Sequence, residues 1–418
     1  MSLLGFIVIL LVSASLLSFI NTRWFHWPPN VSMLTAGLVA SLFTVCLGEW
    51  GTAAIPYQAL THSLRQFNFS TWLLHGLVPV LLFAGGLQID FVQLRRYKSS
   101  VTALAVLGTF ISTFVIGLAT YALLRLFHHP ISLMESLLFG ALISPTDPIA
   151  VIGLLRFYTV PEQLEILIAG ESLFNDGVAI VIFMALLESL GSTQPIMQTM
   201  ARLFLEQTAG GLCLGLVFGL IAYQAIKRID EANSEMLITV ALVAAIGWTS
   251  VYLHVSAALA ALVAGLLIGN LGRRFGMSAT TRQALEIIWS FADYVLNVLL
   301  FLILGLEVLT VHFSLSGLSL LMTGILIVLV GRMVSVGSIA MVPAWKRQMP
   351  LHAIPLLIWG GLRGGIPVAL ALSLPGDSER ELLLQLTYAN VLFSILVQAP
   401  TFKLLLTRLQ KIDRPNLA

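Results

Sequence analysis

Residues 144–151 read SPTDPIAV and place two prolines and an aspartate inside an otherwise apolar run. Pro145 and Pro148 each lack a backbone donor, so a helix across this stretch must break or kink. A second cluster, GGLRGGIP at 360–367, combines four glycines with an arginine, and glycine also weakens a helix. Backbone groups freed at such breaks cannot face lipid and must line protein or water. The two clusters predict two interrupted helices, with ordinary kinks as the simpler alternative.

The chain around these clusters has the composition of a polytopic membrane protein. Of its 418 residues, 58% are hydrophobic and only 10% are charged, and the mean hydropathy is +0.95. A soluble domain carries about 25% charged residues. No basic cluster suggests nucleic acid, and Cys46 and Cys213 indicate no disulfide framework. The N-terminal apolar run has no basic residue before it, so we interpret it as a membrane helix, not a signal peptide.

Apolar runs of about 20 residues, the length that crosses a bilayer, recur along the chain. They predict an all-α protein of about thirteen transmembrane helices without a soluble domain, near 3–20, 31–48, 71–89, 100–124, 133–154, 163–187, 207–226, 235–253, 256–271, 286–308, 315–343, 351–374 and 381–407. Six helices, a linker helix and six helices would form two inverted repeats. The interrupted fifth and twelfth spans would then be partners, as is typical of transporters.

The basic residues predict the orientation of these spans. If the N-terminus lies outside, four basic residues fall in the outside loops, namely Arg65, Arg125, Arg202 and Arg380. Fifteen fall inside: Arg23, Arg95, Arg96, Lys98, Arg156, Lys227, Arg228, Arg273, Arg274, Arg282, Lys346, Arg347, Arg408, Lys411 and Arg414. Inside loops of membrane proteins carry such an excess. The sequence therefore predicts an outside N-terminus and a cytoplasmic C-terminus.

Few charges fall at mid-span depth: Asp147, Glu171, Asp176, Arg332 and Arg363. Each costs about 2.5–3.5 kcal/mol on the insertion scale, and such residues usually face the bundle interior and mark ion or proton paths. If each arginine pairs with one acid, one of the three carboxylates has no arginine partner. That surplus predicts a site for a cation or a proton.

Helix geometry separates the two acids of GESLFNDG (170–177). Glu171 and Asp176 differ by about 140° around the helix axis. Ser172 shares a face with Asp176, and Asn175 shares one with Glu171. The first face offers a hydroxyl and a carboxylate, which suit a small hard cation, and the second offers a carboxylate that can meet an arginine. A hydrogen-bonded helix contact is the alternative role for Asp176.

The other polar residues give weaker indications. Asp147 lies between two prolines, where it would offset the positive end of a half-helix, and Thr146 beside it is a candidate ion contact. Asp293 lies one turn before Asn297, a spacing that is compatible with a position near a cavity, and we assign it no transport role. We also assign none to the acid at 307 or to the histidines at 128, 129 and 254. The small residues of GGLCLGLVFGL (210–220) allow close helix contact within one chain or between two.

Three motifs, TDPIAV (146–151), GESLFNDG (170–177) and GLRGGIP (361–367), carry a resemblance over essentially the whole chain. The chain resembles the monovalent cation/proton antiporters, in the NhaP-like branch that includes the animal sodium/proton exchangers. The resemblance implies crossed, unwound fifth and twelfth helices in a core domain (100–187 and 315–407), a dimerisation domain (3–89 and 235–308) and a linker helix (207–226). It also implies a homodimer in a cell membrane, which would be a prokaryotic inner membrane, and no cofactor.

The resemblance also implies roles for individual residues. Asp176 would bind the ion and the proton, and Thr146 and Ser172 would supply further oxygens to Na⁺. Asn175–Asp176 would be the asparagine–aspartate pair of the electroneutral members. We count Asn175 and Asp147 among the ion- and proton-binding residues together with Asp176, Ser172 and Thr146.

Outside the ion site, the resemblance implies two core arginines. Glu171 would pair with Arg332, with Arg363 near the crossing as the other possible partner. Many relatives carry an acid in the third helix, in a pattern like LLFEG, where this chain has Ala84. An acid that helps to hold the ion in relatives is therefore missing here, which puts the ion preference in question.

These observations predict a transporter and not an enzyme. The main hypothesis is electroneutral exchange of Na⁺ (or Li⁺) for H⁺, serving pH homeostasis, with membrane lipid as the surrounding partner. The alternatives are K⁺/H⁺ exchange by the same fold, a passive channel, and an intramembrane hydrolase. A hydrolase would use Ser172 or Ser256 and would need a paired base at hydrogen-bond distance.

Overall fold

The computed structural model describes residues 3–49, 73–129, 131–147, 151, 162–190, 196–308, 318–346, 353–375 and 378–413, and every regular element in them is helical. The first half contains α1 (Leu3–Ile20), α2 (Pro29–Glu49), α3 (Val78–Gln88), α4 (Phe91–Thr102), α5 (Thr109–Leu126), α6 (Leu133–Ile143) and α7 (Glu162–Leu190). The second half contains α8 (Ile196–Ile226), α9 (Ala232–Leu253), α10 (Ala257–Leu267), α11 (Ala279–Glu307), α12 (Leu318–Met341), α13 (Ala353–Trp359), α14 (Ile366–Leu372), α15 (Ser378–Phe393) and α16 (Ala399–Asp413).

Short segments extend or join these helices. Turns of π-helix occupy Asn21–Phe25, Leu73–Leu77, Ala103–Gly108, Ile268–Gly272 and Ser394–Gln398, and brief helical turns occupy Arg273–Phe275 and Pro343–Lys346. In the described part of the chain, nine helices are long and apolar enough to cross a membrane, and three shorter apolar helices accompany them. The predicted all-helical membrane class is confirmed, whereas the total of thirteen spans and the inversion of the repeats stay predictions.

Three helices, α4, α8 and α11, begin seven or more residues earlier than the apolar runs indicate. Helix α4 begins at Phe91, nine residues before the predicted span, because the Asp90 carboxylate caps it by accepting from Val92 N at 2.7 Å. Its first turns carry basic residues and are amphipathic, so a search for apolar residues misses them. Helix α8 begins at Ile196 and not near 207. The apolar pattern does not reveal its first turns, because Arg202 and Glu206, which form an exposed ion pair at 3.0 Å, interrupt it.

The predicted boundary between the eighth and ninth spans is confirmed. Helix α9 ends at Leu253, and α10 begins at Ala257. Ser256 caps α10, since its Oγ accepts from Leu259 N at 3.2 Å. A hydroxyl at this position satisfies one of the backbone donors that a helix N-terminus leaves open.

The small residues of α8 allow a close helix contact within the chain. A Cβ at Gly211 would lie 2.8 Å from Ser256 O, and a Cβ at Gly215 would overlap the backbone of Ala260. Helix α8 therefore lies directly against α10, which is the intrachain alternative for this motif.

Buried apolar side chains form two clusters. One runs through most of the bundle. The other joins α3 to α8, α9, α10 and α11, with Phe83, Leu214, Ile246, Ala264 and Trp289 among its members. In α11 the ring of Trp289 lies 4.6 Å from that of Phe83 in α3. This second cluster holds α3 and α11 in one packed unit, and both helices face the site described next.

Candidate functional site

The two interrupted helices meet at their breaks. Helix α6 ends at Ile143 and the chain runs on without helical structure to Asp147, while α13 ends at Trp359 and α14 begins at Ile366. Asp147 N donates to Leu362 O at 2.7 Å, so one unwound segment crosses the other through a backbone hydrogen bond. The crossing of these two segments places backbone polar groups in the protein interior, where they satisfy each other.

An arginine meets the C-terminal end of each half-helix at the crossing. Arg363 Nη1 donates to Ser144 O at 2.6 Å and to Pro145 O at 3.0 Å, at the end of α6. Arg332 donates to Leu357 O near the end of α13, from Nε at 3.2 Å and from Nη2 at 2.8 Å. Helix C-termini carry partial negative charge and unsatisfied carbonyls, so both cations stabilise the break.

Glu171 and Arg332 form a buried ion pair. Arg332 Nη2 donates to Glu171 Oε2 at 2.9 Å, and Nη1 donates to Glu171 Oε1. The two residues are 2% and 7% exposed. Arg363, the other possible partner of Glu171, donates its described side-chain bonds to the end of α6. One of the three predicted intramembrane acids is thus neutralised by a two-pronged contact.

Glycine is required where the crossing segments touch. A Cβ at Gly361 would lie 2.5 Å from Arg332 Nε, and a Cβ at Gly364 would lie 2.8 Å from Asp147 Oδ2. The carboxylate of Asp147 therefore lies against the backbone that leads into α14. This position puts negative charge near the N-terminus of that half-helix, where it is favourable.

Replacing Gly364 by alanine is expected to lower the cation/proton exchange that the resemblance implies at least about tenfold, because the added methyl group must displace Asp147 at the crossing. Gly337→Ala is the matched control, since Gly337 lies on α12 with no atom within 4 Å of its would-be Cβ. Initial rates of both variants in proteoliposomes, normalised to reconstituted protein, check the prediction. Equal rates for the two variants would show that the crossing tolerates a side chain.

Thr146 links the crossing to α7 through a small hydrogen-bonded node. Its Oγ1 lies 2.9 Å from Ser172 Oγ, and Asn175 Nδ2 donates to the same oxygen at 2.8 Å. Thr146 N donates to Asn175 Oδ1 at 3.3 Å. All three residues are at most 3% exposed. Asn175 and Ser172 therefore act from the same side of α7, although the helical projection groups Asn175 with Glu171.

Asp176 lines a cavity of about 320 Å³ beside this node. Asp147 and Thr146 from the crossing line the same cavity, as do Gly364 and Gly365 before α14. Among the described residues, no hydrogen bond or ion pair reaches the Asp176 carboxylate. The structure thus brings together Thr146, Asp147, Ser172, Asn175 and Asp176, and the Asp176 carboxylate lines the cavity without a described hydrogen bond or ion pair.

Helices α3 and α11 also line the cavity. They contribute Gln88 from α3, and Asp293 and Asn297 from α11, and Glu165 from the start of α7 lines it as well. The sequence indicates only that Asp293 and Asn297 share a helix face, and it does not place them in the site. Glu165 gives no signal in the sequence, because it lies at a span end where acids are common.

Ala84 does not line the cavity, although its neighbour Gly85 does. Its side chain is fully buried and belongs to the apolar cluster of α3 with α8–α11. The other polar residues without an assigned role lie elsewhere: His128 and His254 stand at helix ends with positive φ, 59° and 53°. Glu307, at the end of α11, is buried.

Comparison with known proteins gives consistent matches. The family model described as sodium/hydrogen exchanger, transmembrane, matches residues 6–408. The Na⁺/H⁺ antiporter NhaP of Pseudomonas aeruginosa is 41% identical over 401 residues, which are 95% of this chain and 94% of that protein. The Na⁺/H⁺ antiporter NhaH of Halobacillus dabanensis is 33% identical over 97% of this chain and 98% of its own length.

A solved structure shares the fold. The sodium proton antiporter MjNhaP1 from Methanocaldococcus jannaschii, determined at pH 8, superposes with a TM-score of 0.78. The match covers 97% of this chain and 98% of that one, at 18% sequence identity. The resemblance carried by the three motifs is therefore confirmed, and so is the all-helical antiporter fold, while the division into core domain, dimerisation domain and linker helix stays a prediction.

Proposed function

The chain belongs to the sodium/hydrogen exchanger family, and from this premise we propose that it is a secondary antiporter that exchanges Na⁺ (or Li⁺) for H⁺. The observation that carries the proposal is the Asp176 carboxylate, which lines the cavity at the helix crossing while Glu171 is neutralised by Arg332. A carboxylate without a fixed cationic partner can take up a proton or a cation from the cavity.

The transported Na⁺ would be held by oxygen atoms. Asp176 supplies a charged oxygen, and the hydroxyls of Ser172 and Thr146, 2.9 Å apart, keep lone pairs that can accept a hard cation. Asp147, against Gly364, adds negative charge beside the same space. Asn175 would position Thr146 through two hydrogen bonds. Because a proton and Na⁺ compete for one carboxylate, binding of either releases the other.

The same arrangement supports electroneutral exchange. Asn175 is neutral and is already bonded to Thr146, so it contributes no second titrating group next to Asp176. One proton and one monovalent cation carry equal charge. A 1:1 exchange at Asp176 would therefore move no net charge.

Alternating access would come from motion between two bodies. We assign the core to 100–187 and 315–407, the dimerisation domain to 3–89 and 235–308, and the linker helix to 207–226. Residues of both bodies line the cavity, among them Asp176 of the core and residues of α3 and α11 from the dimerisation domain. Movement of one body against the other would open the site to each side in turn.

The excess of basic residues in the predicted inside loops indicates on which side of the membrane this cavity opens. Gln88 at the end of α3 and Glu165 at the start of α7 line the cavity next to the predicted inside loops. We infer that the cavity is the cytoplasmic entrance, with the N-terminus outside, in a prokaryotic inner membrane. We also propose a homodimer surrounded by lipid, which fits the exposed apolar face of α1 (Ile9, Val12, Leu16 and Phe19), and a role in pH homeostasis.

The hydrogen bonds of the two candidate serines disfavour an intramembrane hydrolase. Ser256 Oγ accepts from Leu259 N as a helix cap, and Ser172 Oγ is bonded to Thr146 Oγ1. Within the described residues, no hydrogen bond joins either serine to a histidine. A nucleophilic serine requires such a base.

Reconstituted protein tests the proposed function. In proteoliposomes with a fluorescent pH reporter, Na⁺ and Li⁺ are expected to drive proton efflux, and K⁺ to drive little. The rate should not change when valinomycin and K⁺ clamp the membrane potential. The apparent KM for Na⁺ should rise as pH falls, by up to about tenfold per pH unit, because protons compete for the carboxylate. Exchange driven by K⁺ alone would replace Na⁺ as substrate, flux without proton movement would indicate a channel, and a potential-dependent rate would contradict electroneutrality.

A further inference from the structure

Asp293 and Asn297 of α11 line the same cavity as Asp176. They are four residues apart, so their side chains stand one above the other on the helix. They belong to the helix that packs with α3 in the second apolar cluster, and not to the crossing. The cavity therefore contains a polar surface separate from the group of residues around Asp176.

Hydrogen bonding fixes the orientation of the Asn297 amide. Its Nδ2 donates to Asp293 O at 2.9 Å and to Asp293 Oδ1 at 3.0 Å. Both partners are acceptors, so the nitrogen must face them and the oxygen must point elsewhere. Asn297 is only 6% exposed, and it lines the cavity. Within the described residues, no hydrogen bond reaches its Oδ1.

The result is an amide oxygen that receives no described hydrogen bond, beside a carboxylate, in two residues that line the cavity. An amide oxygen of this kind is available to accept from water or to contact a cation. An amide oxygen takes up no proton at physiological pH, whereas amide and carboxylate oxygens together are ordinary ligands of hard monovalent and divalent cations. The pair therefore suits a cation better than it suits a proton relay.

The position of this pair relative to the crossing is fixed by packing. Leu300, one turn beyond Asn297, lies against Gly365, where a Cβ would come 2.5 Å from Leu300 Cδ2. Gln88 and Glu165, next to the predicted inside loops, line the same cavity. A cation that enters from these loops reaches a cavity that the α11 face and Asp176 both line.

We propose that Asp293 and Asn297 form a second binding position for a monovalent cation, which loads Asp176 from this side of the membrane. This inference rests on the proposed function. The carboxylate supplies charge, and the amide oxygen of Asn297 and water supply further ligands. The position lies on the dimerisation domain, so the cation transfers from this body to the core when it moves on to Asp176.

Transport kinetics of Asp293→Asn test the proposal. With Na⁺ supplied on the side to which the cavity opens, the KM for Na⁺ is expected to rise at least about threefold while the maximal rate stays within about twofold. Asn297→Leu, which keeps the carboxylate and removes the amide oxygen, should raise KM in the same direction. Asp230→Asn is the matched control, because it removes a carboxylate before α9 that does not line the cavity. An unchanged KM in both cavity variants, or a lower maximal rate at unchanged KM, would overturn the assignment.

Direct binding separates this inference from the proposed function. In Asp176→Asn protein, ²²Na⁺ should still bind weakly, and the binding should disappear in the Asp176→Asn/Asp293→Asn double variant. Equal ²²Na⁺ binding by the two proteins would contradict a second position. A wild-type protein that binds ²²Na⁺ at both positions without exchanging it for protons would instead contradict the antiport function and leave the second position standing.

Discussion

Asp176→Asn is expected to reduce exchange of Na⁺ for H⁺ to the level of protein-free liposomes while the protein still folds. Asparagine has nearly the same shape as aspartate but cannot carry the negative charge or accept the transported proton. Asp176 faces the cavity, and no described residue holds its carboxylate through an ion pair, so removal of the charge leaves no uncompensated cation behind. The loss should therefore appear in transport and not in stability.

The matched control for this variant is Glu188→Gln. Glu188 lies on the same helix, about three turns further along, and accepts from Gln207 Nε2 at 3.2 Å, away from the crossing. It should retain most of the exchange rate. Thermal unfolding in detergent gives an independent readout, since Na⁺ at 100 times its Kd stabilises a binding protein by about 2.7 kcal/mol. Wild type and Glu188→Gln should gain stability with Na⁺ or Li⁺, and Asp176→Asn should gain far less. Wild-type exchange by Asp176→Asn would place the ion site elsewhere.

The helix breaks at 144–147 and 360–365 could be predicted because their cause is local. Proline removes a donor and glycine loosens the backbone whatever surrounds them, so SPTDPIAV and GGLRGGIP carry the signal by themselves. Apolar length likewise locates most of the described helices. The early starts of α4 and α8 could not be predicted from apolar length, because their first turns are amphipathic or charged and depend on packing and capping.

Pairings between helices were only partly accessible. Charge compensation in an apolar medium requires an arginine near Glu171, but the choice between Arg332 and Arg363 depends on how two breaks cross in space. The helical projection groups Asn175 with Glu171, whereas in the structure Asn175 bonds to Thr146 from another segment. A helical projection describes the residues of one helix only. Asn175 lies at a small angle from both polar faces of α7, so the position of Thr146 on another segment decides which contact Asn175 makes.

The contribution of α11 to the cavity could be predicted only in part. The spacing of Asp293 and Asn297 indicates a position near a cavity, but it does not say what the helix face meets. Their place in the site follows from α11 packing on α3, and that arrangement depends on contacts among several helices. The burial of Ala84 could not be predicted for the same reason, since it follows from the packing of α3 against other helices and not from the sequence around Ala84.

Glu171→Gln is expected to lower the apparent melting temperature more than Asp176→Asn or Gly364→Ala does, because it breaks a buried ion pair. Removing one partner of such a pair costs about 3–5 kcal/mol, since the remaining charge stays buried without compensation. Arg332 would keep only its bonds to Leu357 O at the end of α13. The measurement is thermal unfolding of the purified protein, followed by intrinsic fluorescence. Arg202→Gln is the control, because it breaks the exposed pair with Glu206, which contributes about 0–1 kcal/mol.

The double variant Glu171→Gln/Arg332→Gln separates a structural pair from a transport role. If the two residues act as a pair, removing both charges should recover part of the stability that Glu171→Gln loses, with a coupling of about 0.5–3 kcal/mol. Recovery would remain incomplete, because Leu357 O also loses the guanidinium that caps the half-helix. The crossing and the Thr146 node depend on α7 being held against α12 and α13, so exchange should follow stability across the series. An unchanged melting temperature with abolished exchange in Glu171→Gln would mean that Glu171 belongs to the ion path, and the count of one exchanging carboxylate would then be wrong.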